Sequence, residues 1–224
     1  MAMNVFRFAG DLLHLLSIAL VLLKLRRSKN CIGISCRMQE IYLVVFCARY
    51  VDLLYNFISI YNTTMKVLFI ASTAYTIYLI RFKPPISQTY KRARADNFPH
   101  EKYLIPPCIL LAFVTAENYA ITELLWTFSI WLESVAIVPQ LLLLQQMREV
   151  ENLTGNYVAC LGLYRFMYIL NWVYRYFAEP VPYVNYVGWI AGFIQTALYV
   201  DFFFYYAVAK WYGEKLVLPV HTEV

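Results

Sequence analysis

Seven long apolar stretches, separated by short charged or turn-forming segments, constrain the fold of this 224-residue chain more than any other feature. A helix needs about 20 predominantly apolar residues to cross the hydrocarbon core of a bilayer. Only 15% of the residues are charged and the mean hydropathy is +0.54, whereas soluble domains usually carry about 25% charged residues. The sequence therefore predicts an all-α membrane protein with seven transmembrane helices and no separate soluble domain.

The predicted spans follow these apolar stretches between their charged or turn-forming boundaries. They cover residues 6–25, 41–61, 67–80, 103–116, 122–144, 157–177 and 184–206, and a tail follows at 207–224. The third and fourth stretches are shorter than a full span, so their ends are the least sharply defined. The first stretch begins close to the N-terminus and no small-residue cleavage site follows it, which predicts a permanent helix and not a signal peptide.

Basic residues concentrate on one side of the predicted membrane. Of the 19 Lys and Arg residues, 14 fall on that side: Lys24, Arg26, Arg27, Lys29, Arg37, Arg81, Lys83, Lys91, Arg92, Arg94, Lys102, Arg148, Lys210 and Lys215. The opposite side carries Lys66 and acids such as Glu117 and Glu179. The positive-inside rule then places the C-terminus in the cytosol and the N-terminus in the lumen. Membrane orientation thus explains the net positive charge, and nucleic acid is not an expected partner.

Two Asn-x-Thr sequons bear on this orientation. Asn62 lies in a predicted lumenal turn, and Asn152 lies in a predicted cytosolic loop, where no glycan can be added. Glycosylation of Asn152 would therefore invert the predicted topology.

The sequence carries none of the motifs typical of soluble enzymes or metal sites. Its five cysteines show no Cys-x-x-Cys or Cys/His ligand spacing, so we expect them to be packing residues. A glycine-rich phosphate loop, an H-E-x-x-H motif and a G-x-S-x-G motif are all missing. The sequence accordingly predicts no cofactor and no metal. An intramembrane enzyme that uses Asp or His need not carry these motifs, but no nucleophile is paired with a base in the sequence, so we expect no enzymatic activity.

Charged residues also fall inside the predicted spans or at their lumenal ends. The arginines are Arg7, Arg49, Arg165 and Arg175, and the acids are Asp11, Asp52, Glu123, Glu133 and Asp201. An arginine at bilayer depth costs at least about 2.5–3.5 kcal/mol on insertion scales, so such residues usually face a polar cavity or a partner. Pairwise neutralisation within the bundle is one explanation, and a polar binding cavity is the other.

Helical spacing favours the cavity. Residues at i, i+4 and i+7 share one face of the first helix, and residues at i, i+3, i+7 and i+10 share one face of the sixth. These faces contain Arg7, Asp11 and His14, and then Arg165, Tyr168, Trp172 and Arg175. Arg49 and Asp52 are spaced i, i+3 on the second helix, with Tyr50 and Trp126 close in the pattern. The combined pattern predicts a cavity that opens to the lumenal side.

Such a cavity suits an anionic ligand with more than one carboxylate, because guanidinium groups bind carboxylates through two hydrogen bonds. Asp52 and Glu123 would then bind one cationic group of the same ligand. His14 has two interpretations. It is either a packing residue or, with Glu133 and Tyr164 as neighbours, a group that titrates near neutral pH and responds to the acidity of the compartment.

Five blocks of sequence resemble a known family. They are "MNVFRFAGDLLHLLSIALVLLK" from Met3, "ARYVDLLYNFISIYN" from Ala48, "LLWTFSIWLESVAIVPQL" from Leu124, "YRFMYILNWVYRYF" from Tyr164 and "QTALYVDFFFYY" from Gln195. From Met3 to about Pro219 the chain is similar to the KDEL receptors, the ER lumen protein-retaining receptors. The resemblance implies a PQ-loop or SWEET-like arrangement of two three-helix bundles joined by a linker helix, with Pro139 and Gln140 as its signature.

The resemblance also implies a ligand, a route and a set of binding residues. The ligand is the C-terminal Lys-Asp-Glu-Leu or His-Asp-Glu-Leu signal of escaped ER proteins, which coatomer-coated vesicles return from the Golgi to the ER. Matching positions place Arg49 and Tyr50 on the terminal carboxylate, Arg7 on the glutamate and Arg175 on the aspartate. Asp52, Glu123 and Trp172 are assigned to the leading Lys or His. The remaining members of the ligand-binding set are Trp126, Arg165 and Tyr168.

In the family that the chain resembles, affinity depends on pH through a histidine at the position of His14, with partners matching Glu133, Tyr164 and Arg165. Protonation of His14 in the acidic Golgi would add positive potential to a site that binds carboxylates. Asp201 matches an acid linked to retrograde transport, and Lys210 and Lys215 are the tail cations available to the coat.

The sequence departs from the family pattern at three places. Glu214 stands where the tail usually has lysine, residues 221–224 extend past the usual end, and Asn185 replaces a lumenal acid, so the preference for Lys or His at the first signal position stays open. The basic "KRARAD" linker is interpreted as a solvated stretch attracted to anionic lipid.

A SWEET-like transporter of a small anionic solute is the alternative function, since fold does not fix function.

Overall fold

A computed structural model of the chain describes residues 4–93, 95–147, 149–180, 182 and 184–219. The described residues are mostly helical, several of the helices are apolar, and only two short strands accompany them. This is the architecture expected of an all-α membrane protein. Arg94 and Arg148, which were counted with the cytosolic basic residues, and the tail extension at 221–224 lie outside the described residues.

The helices follow the predicted apolar stretches in chain order. They are α1 (Val5–Ser28), α2 (Cys36–Arg49), a 3₁₀ turn (Val51–Leu54), α3 (Ile60–Arg81), α4 (Ile86–Ala93), α5 (His100–Tyr103), α6 (Ile105–Thr115), α7 (Ile121–Val135), α8 (Val138–Met147), α9 (Asn152–Ala178), α10 (Tyr186–Leu198) and α11 (Val200–Tyr212). The strands β1 (Glu149–Val150) and β2 (Leu216–Val217) pair antiparallel.

Within the described residues, three helical segments are long and apolar enough to cross a membrane: Val5–Ser28, Ile60–Arg81 and Ile121–Met147. The pair α10 and α11, bent by 42° at its break, makes a fourth if it counts as one span. Helices α2, α6 and α9 lie in the other three predicted stretches, and α2 and α6 have only 14 and 11 residues.

The second and third helices differ from the predicted spans in where they end and begin. The second span was predicted to continue to residue 61, but α2 ends at Arg49 and α3 already begins at Ile60. The physical reason is a cap: the Ser59 hydroxyl accepts a hydrogen bond from the backbone N–H of Asn62 at 3.1 Å, which starts a helix within the polar segment. Asn62 therefore lies in the first turn of α3, and Asn152 is the first residue of α9 and not part of a loop.

The described residues divide into two compact units. The terminal unit comprises the described residues of Met1–Lys29 and Leu141–Val224, and the central unit is Asn30–Gln140. Helix α1 is thus grouped with α9, α10 and α11, while α2 to α7 belong to the central unit.

In the terminal unit, α1 packs antiparallel to α9, because contact positions that rise along α1 fall along α9. The polar contacts between the two helices are Asn4–Asn171 at 2.6 Å, Asp11–Tyr168 at 2.5 Å and an ion pair between Lys24 and Glu151. A Cβ atom at Gly10 would lie 2.9 Å from the ring of Tyr168, so this close approach requires glycine. The first turns of α1 and the last turns of α9 consequently lie at the same end of this helix pair.

In the central unit, α2 packs against α3 and α7, and α6 packs against α7. Gln140, the glutamine of the predicted Pro-Gln signature, is fully buried. Its side chain donates to the carbonyl oxygen of Gly33 at 2.7 Å and accepts from the backbone N–H of Ser35 at 2.9 Å. The Asp96 carboxylate accepts from the Ser35 hydroxyl at 2.7 Å and from the backbone N–H of Cys36 at 2.8 Å. These bonds satisfy the N-terminus of α2, which carries Arg49 at its other end.

Candidate ligand-binding site

The predicted polar face of α1 is the face that packs on α9. Asp11 and His14 are 5% and 7% exposed, and Arg7, one turn earlier, is half-buried. Buried Ser17 and Lys24 continue the same face toward the end of the helix. The period of 3.6 residues was therefore sufficient to find this face from the sequence.

His14, Tyr164 and Arg165 form one cluster in the terminal unit. The His14 and Tyr164 rings stack with their centroids 4.5 Å apart and an interplanar angle of 7°. Arg165 Nε donates a hydrogen bond to the Tyr164 hydroxyl at 3.0 Å, and the guanidinium lies 5.0 Å from the centroid of the same ring. A charge on His14 would thus arise within a buried network that already contains a guanidinium. Glu133, the third predicted member, belongs to the central unit, so its link to His14 stays a prediction.

The remaining residues of the α9 stripe also have defined positions. The Tyr168 hydroxyl donates to Asp11, and the Tyr164 and Tyr168 rings meet edge to face at 6.2 Å. Helix α10 approaches so closely at Trp172 that a Cβ atom on Gly192 would lie 2.4 Å from the indole ring. The absence of a side chain at Gly192 is what leaves room for the indole on this side.

Arg175, at the end of the stripe, binds a carboxylate through two donors on one edge of its guanidinium. Its Nε donates to Glu179 Oε1 at 2.7 Å and its terminal nitrogen donates to Oε2 at 3.0 Å. This two-point geometry is the one by which arginine recognises carboxylates. The hydrogen bond from Arg175 lowers the pKa of Glu179 below its ordinary value.

Arg49 occupies the last turn of α2 in the central unit and is paired with a buried acid. It forms an ion pair with Glu133 of α7, which is 4% exposed, and its Nε donates to the Ser129 hydroxyl at 3.1 Å. The adjacent Tyr50 ring stacks on Phe46 with the centroids 5.7 Å apart. The Arg49 guanidinium is therefore held in place from α7.

Asp52 lies in the 3₁₀ turn beyond α2, and its partner is not the arginine three residues earlier. Its Oδ2 accepts a hydrogen bond from Lys66 Nζ at 2.5 Å. The i, i+3 spacing of Arg49 and Asp52 suggested a shared helix face, but α2 ends at Arg49, so the helical geometry does not extend to Asp52. Each of the two residues instead finds a counter-ion on another helix.

Glu123 and Trp126 lie in the first two turns of α7, and both are half-buried. Glu123 Oε1 accepts from the Thr127 hydroxyl at 3.2 Å, one turn along the helix. The Trp126 carbonyl accepts from the Ser129 hydroxyl at 2.6 Å. Ser129 thereby connects the backbone at Trp126 to the guanidinium of Arg49.

The three residues predicted for retrograde transport lie in α11 and the tail. Lys210 Nζ donates to Asn152 Oδ1 at 2.6 Å, and Lys215 forms an ion pair with Glu149 at 2.5 Å. The pairing of β1 with β2 holds the tail beside residues 149 and 150. Asp201 is exposed in the first turn of α11.

Sequence reasoning missed the counter-ions Lys66 and Glu179, and it did not pair Glu133 with Arg49. The i, i+4 spacing of Arg175 and Glu179 was a usable signal for one of these pairs. The other two pairs join different helices, and a single sequence holds no signal for them.

Comparison with known proteins identifies the family. The family described as ER lumen protein retaining receptor matches residues 30–175. A Plasmodium falciparum protein named ER lumen protein-retaining receptor is 63% identical over 222 residues, which cover 99% of this chain and 100% of the relative. This chain belongs to the ER lumen protein retaining receptor family. The family is one of receptors and not of enzymes, and the resemblance read from the sequence blocks is confirmed.

Two further relatives show how widely the family match extends. An ER lumen protein-retaining receptor of Entamoeba histolytica is 50% identical and covers 98% of this chain and 100% of its own length. ER lumen protein-retaining receptor B of Arabidopsis thaliana is 48% identical and covers 97% of this chain and 100% of its own length. The chain therefore matches these relatives over their whole length.

Proposed function

We propose that this chain is a receptor that retains soluble ER proteins by binding their C-terminal Lys-Asp-Glu-Leu or His-Asp-Glu-Leu signal. The observation that carries the proposal is identity of 48% to 63% over nearly the whole chain to proteins named ER lumen protein-retaining receptors. Such a signal carries three carboxylates and, with Lys in front, one cation. The charges of Arg7, Arg49 and Arg175, together with those of Asp52 and Glu123, are complementary to it. The transporter alternative receives no support from the comparisons.

The residue assignments belong to this proposal. Arg49 with Tyr50 binds the terminal carboxylate, Arg7 binds the glutamate and Arg175 binds the aspartate. In support, the guanidinium groups of Arg49 and Arg175 each already hold a carboxylate of the protein, so both have the reach and geometry for one from the ligand.

The other assigned residues act on the leading residue of the signal and on the walls of the site. Asp52 and Glu123 bind the leading Lys or His, and Trp172 adds a cation–π contact. Trp126, Arg165 and Tyr168 complete the ligand-binding set. Asp52 supports this assignment because it already binds an ammonium group.

The membrane arrangement is part of the same proposal. Seven spans in a PQ-loop or SWEET-like order place the N-terminus in the lumen and the C-terminus in the cytosol of Golgi, ER–Golgi intermediate and ER membranes. The asymmetry of Lys and Arg along the sequence supports this orientation. On the cytosolic side, coatomer binds the loaded receptor with the help of Lys210, Lys215 and Asp201.

Direct binding of the purified protein to a labelled peptide ending in Lys-Asp-Glu-Leu tests the function, at about pH 5.5 and about pH 7.4. We expect tighter binding at the acidic pH and loss of binding when the peptide carries a C-terminal amide. Folded protein that binds the peptide at neither pH would contradict the proposal. Uptake of a labelled anionic solute into vesicles containing the protein would then become the measurement of choice.

Glu179→Gln is expected to strengthen peptide binding about two- to fivefold, because Glu179 competes with the signal aspartate for Arg175. The dependence of affinity on pH should not change. The lowered pKa of Glu179 keeps its carboxylate ionised from about pH 5.5 to 7.4, and the pair is lost only as the pH falls through that lowered pKa.

Titration of the labelled peptide at both pH values measures the effect of Glu179→Gln. Glu117→Gln is the matched control, since it removes the same charge from an exposed acid of the predicted lumenal side. A loss of affinity, or a change in the pH dependence, would show that Glu179 does not act as a competitor.

A further inference from the structure

Lys66 connects two residues that the proposed function assigns to different parts of the signal. It lies in the second turn of α3, and its side chain is 12% exposed. Its Nζ is 2.5 Å from Asp52 Oδ2 and 5.5 Å from the centroid of the Tyr50 ring. The ammonium group is therefore close both to the carboxylate assigned to the leading Lys or His and to the ring of the tyrosine assigned to the terminal carboxylate.

Only one of the two Asp52 carboxylate oxygens accepts a hydrogen bond among the residues that the structure describes. The Asp52 Oδ1 atom is buried and has no hydrogen-bond partner within the described part of the chain. An ionised carboxylate can accept about four hydrogen bonds, and a buried oxygen without a donor is unfavourable. Since the Asp52 side chain as a whole is 25% exposed, the carboxylate has capacity for a second donor while Lys66 remains in place.

We propose that Lys66 is the internal counter-ion of Asp52 and sets how strictly the receptor selects the first residue of the signal. The inference rests on the proposed function, because it takes Asp52 as the site of that residue. Lys66 occupies one oxygen of Asp52 and neutralises its charge, so an incoming Lys or His gains less than it would at a free carboxylate. A signal with a neutral first residue does not depend on this carboxylate.

The expected consequence is a receptor that tolerates several first residues. Selectivity is a difference between two affinities, and Lys66 weakens the interaction that only the cationic signal makes. We therefore expect the effect of Lys66 in the choice of ligand.

Two peptides that differ only at the first signal position isolate this effect. One ends in Lys-Asp-Glu-Leu and the other in Gln-Asp-Glu-Leu, and the ratio of their dissociation constants is the readout. In Lys66→Met we expect this ratio to favour the cationic peptide at least about fivefold more than in the parent. Lys66→Arg keeps the charge and should keep the parent ratio.

The control Lys102→Met removes the same charge from an exposed lysine of the 82–104 linker and should leave the ratio unchanged. In the Asp52→Asn background, Lys66→Met should have no effect on the ratio, because the carboxylate on which Lys66 acts is gone. Thermal unfolding establishes that each variant is folded, and Lys66→Gln replaces Lys66→Met if that variant does not fold.

The outcomes separate this inference from the function on which it rests. If the parent and Lys66→Met both bind the Lys-Asp-Glu-Leu peptide with an unchanged ratio, Lys66 does not set selectivity and the inference is overturned. A larger ratio that persists in the Asp52→Asn background also overturns it. If the folded parent binds neither peptide, the proposed function fails instead.

Discussion

Arg49→Ala is expected to lower the affinity for a Lys-Asp-Glu-Leu peptide at least about 30-fold, since truncating one member of a buried charge pair in a binding site costs about 2–5 kcal/mol. Arg49 is fixed by the Glu133 carboxylate and the Ser129 hydroxyl, so its guanidinium needs little reordering to receive a ligand. Its proposed partner is the terminal carboxylate, which every signal of this type carries. Fluorescence titration with the labelled peptide measures the loss.

The same substitution leaves the Glu133 carboxylate buried without its partner. An uncompensated buried charge destabilises a protein by about 3–5 kcal/mol, so Arg49→Ala alone could lose binding through misfolding. The double variant Arg49→Ala with Glu133→Gln removes both charges and keeps the shape of residue 133. We expect it to unfold near the temperature of the parent and to show the same loss of peptide affinity as Arg49→Ala.

Arg37→Ala is the matched control for Arg49→Ala. Arg37 is also an arginine of α2, but its partner Glu101 is 57% exposed, and the NH1–Oε1 distance is 3.0 Å. Surface pairs of this kind contribute about 0–1 kcal/mol, so binding should stay within about twofold of the parent. If the folded double variant at positions 49 and 133 bound like the parent, Arg49 would have no part in the site.

The ion pairs within each unit bear on the two explanations that the sequence left open for its intramembrane charges, pairwise neutralisation and a polar binding cavity. Arg49 pairs with Glu133, Asp52 with Lys66 and Arg175 with Glu179. Neutralisation within the protein therefore accounts for the charges of Arg49, Asp52 and Arg175. It does not compete with a binding function, because each internal partner has the charge of the ligand group proposed for that position. At Arg175 the ligand carboxylate would then replace that of Glu179, whereas Arg49 and Asp52 would keep their internal partners and accept the ligand as a second partner.

Periodicity predicted which candidate residues share one face of a single helix. The face of α1 with Asp11 and His14 and the stripe of α9 from Arg165 to Arg175 depend only on 3.6 residues per turn. The sequence could not predict that Glu133 would meet Arg49, because 84 positions separate them and only the packing of α2 on α7 brings them together.

Helix ends were the other feature that hydropathy could not locate. The segment around Asn62 is polar and was therefore assigned to a turn. A single hydroxyl at Ser59 starts α3 there, since it accepts the hydrogen bond of an otherwise unsatisfied N–H group. Such a local hydrogen bond decides where the helix begins, even though the average polarity of the segment is typical of a turn. As a consequence, the early start of α3 includes Lys66, the partner of Asp52, in its second turn.

His14→Phe is expected to abolish the gain in affinity on acidification while leaving a folded receptor. An imidazole ordinarily titrates near neutral pH, which is why the proposal assigns the response to acidification to His14. A positive charge there favours a ligand with three carboxylates, so affinity should increase as the pH falls, by about tenfold in the parent. Phenylalanine keeps an aromatic ring against Tyr164, whose centroid lies 4.5 Å from that of His14, and it cannot be protonated.

The ratio of the peptide dissociation constants at the two pH values measures the effect of His14→Phe, and we expect it to fall to within about twofold of unity. His14→Ala should flatten the ratio in the same way, although it also loses the ring stacking. His100→Phe is the control, because His100 is a buried histidine of the central unit outside the proposed site. If His14→Phe gained affinity on acidification as the parent does, the proton that controls binding would lie elsewhere. The cluster of His14, Tyr164 and Arg165 would then be a packing feature of α1 on α9.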